Sequence, residues 1–247
     1  MSITFLNFQG FTHAGLFVVF MQGLLLNIAS LYFFGKTRIT LMLLFKSVCG
    51  MVFGLEMMVL FYINKTTDHE LFFMRTFREI PYMLSLLGLS LYPYFRFYTV
   101  MPKRLRQFGF IGYPLFFVCM FTFYGFYYSG YPIEQSFLFL IIGSIYPTIV
   151  TNYNTYKVIR TIASNPLGKK DKKQQNIKQV SNTIFVCAGL GQTMFISLNL
   201  IPVENLFVTS LVANSLVCFL FDLSQLLLQI NRKIESSAIM AVKTVEF

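Results

Sequence analysis

The sequence predicts an all-α integral membrane protein, a seven-transmembrane helix bundle with its N-terminus outside and its C-terminus in the cytosol. Three observations predict it. Of 247 residues, 55% are hydrophobic and only 12% are charged, where a soluble domain carries about 25% charged residues. The apolar residues gather into seven runs, each near the roughly 20 residues that cross about 30 Å of hydrocarbon. The basic residues, finally, fall almost entirely in alternate loops. With the spans numbered in chain order, sixteen lysines and arginines lie at the end of span 3 (Arg96), after spans 1, 3 and 5 and in the tail, against three on the other side. Basic loops stay in the cytosol, so this asymmetry sets the orientation.

Span 1 is Ala14–Phe34, preceded by 13 residues without the basic region of a secretory leader. Span 2 is Ile39–Ile63, entered through Lys36 and Arg38. The loop after it carries Asn64-Lys65-Thr66, an N-glycosylation sequon on the expected outer face. Span 3, Pro81–Val100, is apolar until Arg96 and runs into Lys103, Arg104 and Arg106. Span 4 is Phe108–Tyr128, with Pro114 inside it and tyrosines gathered where it leaves the outer face. Span 5, Phe137–Tyr156, contains Pro147 and leads into a lysine-rich connection in which Asn165-Pro166 ends any helix. Spans 6 and 7 are Val180–Ile201 and Leu206–Ile230, the sixth weakened by Gly, Gln and Asn. All seven must be helical, because backbone groups facing lipid have to be satisfied within their own segment. The whole chain reads as one domain in the plasma membrane.

No arrangement of side chains suited to catalysis, metal or cofactor appears, so the chain reads as a non-enzyme without a cofactor. His13 and His69 stand far apart near the outer surface. The four cysteines, Cys49, Cys119, Cys187 and Cys218, lie inside apolar runs with no Cys-x-x-Cys spacing, which predicts neither a disulfide framework nor a metal site. Gly189-Leu190-Gly191 falls inside span 6 and reads as close helix packing. A net charge of +10 would suggest nucleic acid in a soluble protein. Here the charges mark membrane orientation, and the expected partner is the lipid bilayer.

Charged groups inside spans are costly and face the bundle interior, which makes them the candidates for function. Lys46 lies eight residues inside Arg38 and Asp222 ten inside Arg232. At 1.5 Å per residue these depths are about 12 and about 15 Å from the same face, so the two could pair if spans 2 and 7 are neighbours. A lysine snorkelling to the headgroups is the bland reading of Lys46. Glu56 stands seven residues from Ile63, about 10 Å below the outer surface, as a buried carboxyl or part of a ligand pocket. Asn27, Asn214, Gln192 and Asn199 are amides within spans, a composition suited to bonds between helices.

Several of these residues resemble the marks of G-protein-coupled receptors: Asn27 in Leu24-Leu25-Leu26-Asn27-Ile28, Phe95-Arg96-Phe97-Tyr98 with Pro102 downstream, Pro147 in span 5, and Asn214 in span 7. The stretch Lys36–Lys46 and the 30 phenylalanines look most like the divergent nematode chemosensory serpentine receptors. The resemblance implies a small extracellular ligand near Glu56, Met83, Gln192 and Asn199. It also implies coupling to a heterotrimeric G protein through Arg96, Lys103 and Arg104. Phe95 stands where that family has an acidic residue, which leads to the expectation of a weakly held resting state with some ligand-independent activity. A seven-helix small-solute transporter or channel, and a retinal-free opsin-like protein, are the alternatives from other classes. Span 7 contains no lysine to carry retinal.

Overall fold

The computed structural model describes residues 3–63, 79–164, 172–198 and 204–245. Among them the chain forms seven helices: α1 (Ile3–Phe34), α2 (Arg38–Ile63), α3 (Ile80–Arg96), α4 (Lys103–Tyr128), α5 (Ile133–Ser164), α6 (Lys172–Leu198) and α7 (Glu204–Val245). Five hold a stretch long and apolar enough to cross a membrane: Ala14–Phe34, Arg38–Val59, Lys103–Tyr128, Gln135–Ser164 and Ala213–Ser236. These make the chain a multi-pass membrane protein. The remaining two are α3, which has only 17 residues, and α6, which carries Lys172, Lys173, Gln174, Gln175, Asn176 and Lys178 in its first two turns.

The packing explains why α3 is the exception. Successive helices pack side by side from α1 to α7, and α7 returns to α1, closing a ring. Within it α3 touches α2, α4, α5 and α7, and its buried residues run from Tyr82 to Tyr94 on several faces. A helix enclosed by other helices shows little surface to lipid, so it can be short and carry Ser85, Gly88 and Ser90 without exposing polar groups to hydrocarbon. The core around it includes Leu16, Phe20, Leu43, Phe53, Tyr82, Leu86, Tyr92, Phe123, Phe137, Phe185 and Phe221, drawn from all seven helices.

Element ends differ from the sequence expectation where apolarity and helicity part company. Span 3 was expected to reach Val100, but α3 stops at Arg96 and Phe97–Met101 form a turn. Val100 and Met101 both bond back to the Phe97 carbonyl at 3.0 Å. Pro102 then fixes an extended residue before α4, which starts at Lys103, five residues ahead of the expected apolar start. Helices α5 and α7 run past their apolar stretches because a helix satisfies its backbone in water as well as in lipid; α5 ends at Ser164, directly before Asn165-Pro166. Between α1 and α2, Gly35 takes φ +79°, a conformation that side chains with a Cβ rarely adopt. The Thr37 hydroxyl then accepts the Thr40 N–H at 3.1 Å and opens α2.

Candidate functional site

The polar residues of the bundle collect at the end where α1, α3 and α5 finish and α2, α4 and α6 begin. At its centre is Arg96, in the last turn of α3. Two neighbouring helices brace that turn: Tyr113 of α4 donates to the Ser90 carbonyl at 3.0 Å, and Asn154 of α5 donates to the Pro93 carbonyl at 2.9 Å. Pro93, lacking an N–H, loosens the local helical ladder, and these side chains supply bonds from outside.

So held, Arg96 is half-buried and reaches two further helices. Its Nη1 donates to the Tyr92 hydroxyl at 2.7 Å and to Ser224 Oγ of α7 at 2.7 Å, and its Nη2 donates to Asn182 Oδ1 of α6 at 3.3 Å. The guanidinium also lies 4.5 Å from the Phe185 ring centre and 5.4 Å from that of Phe97, within the range of cation–π attraction. The Ser224 hydroxyl, besides accepting from Arg96, donates to the Ser181 carbonyl at 2.8 Å, while Ser181 Oγ donates to the Ser224 carbonyl at 2.7 Å. The result is a latch: one cation joins α3, α6 and α7 through neutral acceptors and aromatic faces. Phe95 supplies no counter-charge, as expected, yet Arg96 is not loosely held, because a serine, an amide and a tyrosine take the place of the missing carboxylate.

One level deeper, Lys46 Nζ lies 2.7 Å from Asp222 Oδ1, and both side chains are excluded from the surface. Lys46 also donates to the Cys218 carbonyl at 3.1 Å. Ser47 Oγ donates to the second carboxylate oxygen at 3.4 Å, and Asn27 Nδ2 donates to Ser47 Oγ at 3.0 Å and to the Leu43 carbonyl at 3.2 Å. Helices α2 and α7 both pack against α1, and the length of the lysine spans the gap between them. Space for this is left by two glycines. A Cβ on Gly88 of α3 would stand 2.8 Å from Lys46 Cβ, and one on Gly23 of α1 would stand 2.7 Å from Asp222 Oδ2. Lys46 therefore points across the bundle interior and does not snorkel.

Toward the surface the same α7 face continues. Gln229 Nε2 donates to Thr40 Oγ1 at 2.9 Å, and Ser30 Oγ donates to Gln229 Oε1, tying α7 to α2 and α1. Tyr92 Oη donates to Gln225 Oε1 at 3.3 Å. Asp222, Gln225 and Gln229 thus form a polar stripe at helical spacing, turned inward among apolar neighbours.

The other candidates are less concentrated. Lys103 and Arg104 are exposed at the start of α4, on the same end as Arg96. In the opposite half, Glu56 is half-buried on α2 and Met83 is fully buried in the core. Gln192 is buried and accepts from Thr151 at 3.2 Å, which commits it to the α5–α6 interface. Asn214 donates to the Tyr82 hydroxyl at 3.3 Å, between α7 and α3. Asn199 and the sequon at Asn64 lie outside the described residues. Two polar atoms of this half, Ser85 Oγ and Asn214 Oδ1, are buried and have no hydrogen-bond partner among the described residues. Sequence reading passed over Ser85, Asn182, Ser224 and Gln229. A lone serine or amide in an apolar run carries no positional signal; only the inward α7 stripe could have been found, from its spacing. Comparison of the chain with family models, with curated proteins and with solved structures gave no match.

Proposed function

We propose that the chain is a seven-span receptor of the plasma membrane that binds a small extracellular ligand and signals to a heterotrimeric G protein through the inner end of α3. The observation that carries this reading is the Arg96 latch: a cation at the end of the enclosed helix, held by neutral bonds to α6 and α7. Such bonds join three elements that can occupy two packings, and a ligand that favours one packing shifts the population. In the alternative packing the guanidinium turns toward carbonyls or a carboxylate of the G protein, with Lys103 and Arg104 adding attraction at long range. Buried polar atoms are ordinarily satisfied, and those without a hydrogen-bond partner among the described residues occur in both halves of the bundle; Ser85 Oγ and Asn214 Oδ1 are the ones a ligand in the outer half would reach. The sequential ring with α3 inside also suits a receptor better than a carrier built from two three-helix repeats.

Orientation follows from the sixteen-to-three distribution of basic residues. A protease site inserted in 166–170 is expected to stay intact on whole cells and to be cut after permeabilisation. Cleavage from outside would invert the bundle and end the receptor reading. The function itself is tested by second-messenger signalling at matched surface level. Replacing Arg96 by Ala is expected to abolish the odorant-evoked response. An unchanged response would remove Arg96 from the mechanism and leave only the topology in favour of a receptor, whereas solute uptake by liposomes carrying the purified protein would move the reading to a transporter.

A further inference from the structure

At the basic end of the bundle a cavity of about 430 Å³ opens between the α1–α2 turn and the extension of α7. Phe33, Phe34 and Ile39 form its apolar wall; Thr37, Gln225, Gln229 and Ser236 bring polar groups; Arg232 and Lys233 complete the lining. Both basic residues are exposed, and they are the first charges beyond the apolar stretch of α7 that ends at Ile230. The Lys233 ammonium sits 3.5 Å from the Phe33 carbonyl and 5.7 Å from the Phe34 ring centre, which directs it back over the cavity. Tyr32 and Phe33 are 82% and 60% exposed beside it, aromatic side chains at the depth where a bilayer meets water.

We propose that this cavity binds the phosphate headgroup of an anionic phospholipid, whose acyl chains lie along the exposed aromatic lip of α1. Three features favour this occupant. The volume falls in the range of a small ligand or a headgroup. Two cations face it, and although Glu235 is close in sequence, it receives a hydrogen bond from Asn231 Nδ2 at 2.8 Å and does not line the cavity. The basic residues also stand just beyond the apolar stretch of α7, at the level where cations meet anionic headgroups. A soluble phosphate compound would gain nothing from the aromatic lip. The proposal needs only the bilayer and does not depend on the chain being a receptor, and binding would anchor α7 against α1 beside the Ser30–Gln229–Thr40 contacts.

The chain has no tryptophan, so Phe33→Trp places a single indole at the cavity. The full-length variant would be reconstituted in phosphatidylcholine vesicles containing a small share of phosphatidylglycerol with brominated acyl chains, which quench an adjacent indole. Quenching is expected to saturate at low content of this lipid, whereas brominated phosphatidylcholine should quench only in proportion to its bulk share. Adding Arg232→Gln and Lys233→Gln should lower the preference by roughly thirtyfold, as expected for two basic groups near a membrane surface. The exposed Arg160→Gln, at the same end on α5, should leave it unchanged. Tyr32→Trp serves as a second reporter should Phe33→Trp disturb the wall. Equal quenching by the two lipids with both reporters would overturn the proposal, and so would loss of the preference on adding inorganic phosphate, which would mark a site for soluble phosphate.

Discussion

Lys46→Met and Asp222→Leu are each expected to destabilise the bundle by about 3–5 kcal/mol, and the two together by much less than their sum. Each single change leaves one charge inside the protein without its partner. Removing both leaves Asn27, Ser47 and the Cys218 carbonyl without the pair; of these, Asn27 already donates to the Leu43 carbonyl and to Ser47. Methionine follows the lysine stem past Gly88, so the close crossing of α2 and α3 is kept. The size of the effect reflects the completeness of the burial. A surface ion pair is typically worth less than about 1 kcal/mol, whereas here no solvent replaces the lost contact. The measurement is the folded fraction remaining after heating in detergent, read by size-exclusion chromatography for the two single variants, the double variant and the parent. A double variant no better than the sum of the singles would show that the two residues act independently.

The second large effect concerns the latch. Ser224→Ala and Asn182→Ala each remove a neutral acceptor from Arg96 without altering the cation. A hydrogen bond to a charged group is worth about 1.5–3 kcal/mol. For a half-buried guanidinium the lower figure applies, and it shifts a two-packing equilibrium by about tenfold. If the latched arrangement is the resting one, ligand-independent signalling should rise by about that factor for Ser224→Ala. Asn182→Ala should give a smaller rise, since its bond is the longer one at 3.3 Å. Arg96→Lys should resemble the latch mutants, because one ammonium cannot reproduce the fork that reaches Tyr92, Ser224 and Asn182 together. Basal second messenger at equal surface expression reports all three. A fall in basal activity, parallel to lost expression, would make the latch a purely structural tie.

Much of the bundle was legible in the sequence because lipid imposes strict conditions. A backbone in hydrocarbon must be helical, a crossing needs a minimum apolar length, and basic loops stay on one side. Those conditions marked seven runs, matched the depths of Lys46 and Asp222, and set Arg96 at the end of its helix. Hydropathy was a poorer guide to where helices stop. Phe97–Val100 is apolar yet forms a turn, while α5 and α7 continue as helix into charged sequence. Helicity needs only satisfied backbone bonds, and water permits it as well as lipid does.

What only the tertiary structure decided is which polar groups meet. Asn182, Ser181 and Ser224 are ordinary residues of apolar or mixed stretches, and nothing in their spacing points to Arg96. Asn182 and Ser224 become its partners, and Ser181 the partner of Ser224, because α3 lies inside the ring and ends between α6 and α7. Likewise Lys46 reaches Asp222, and not the headgroups, because glycines at positions 23 and 88 let α1 and α3 close around the pair. Sequence fixes how deep a residue sits along its helix. The direction it faces, and the partner it finds there, depend on the rotation and packing of every neighbouring helix, a long-range property that no local pattern encodes.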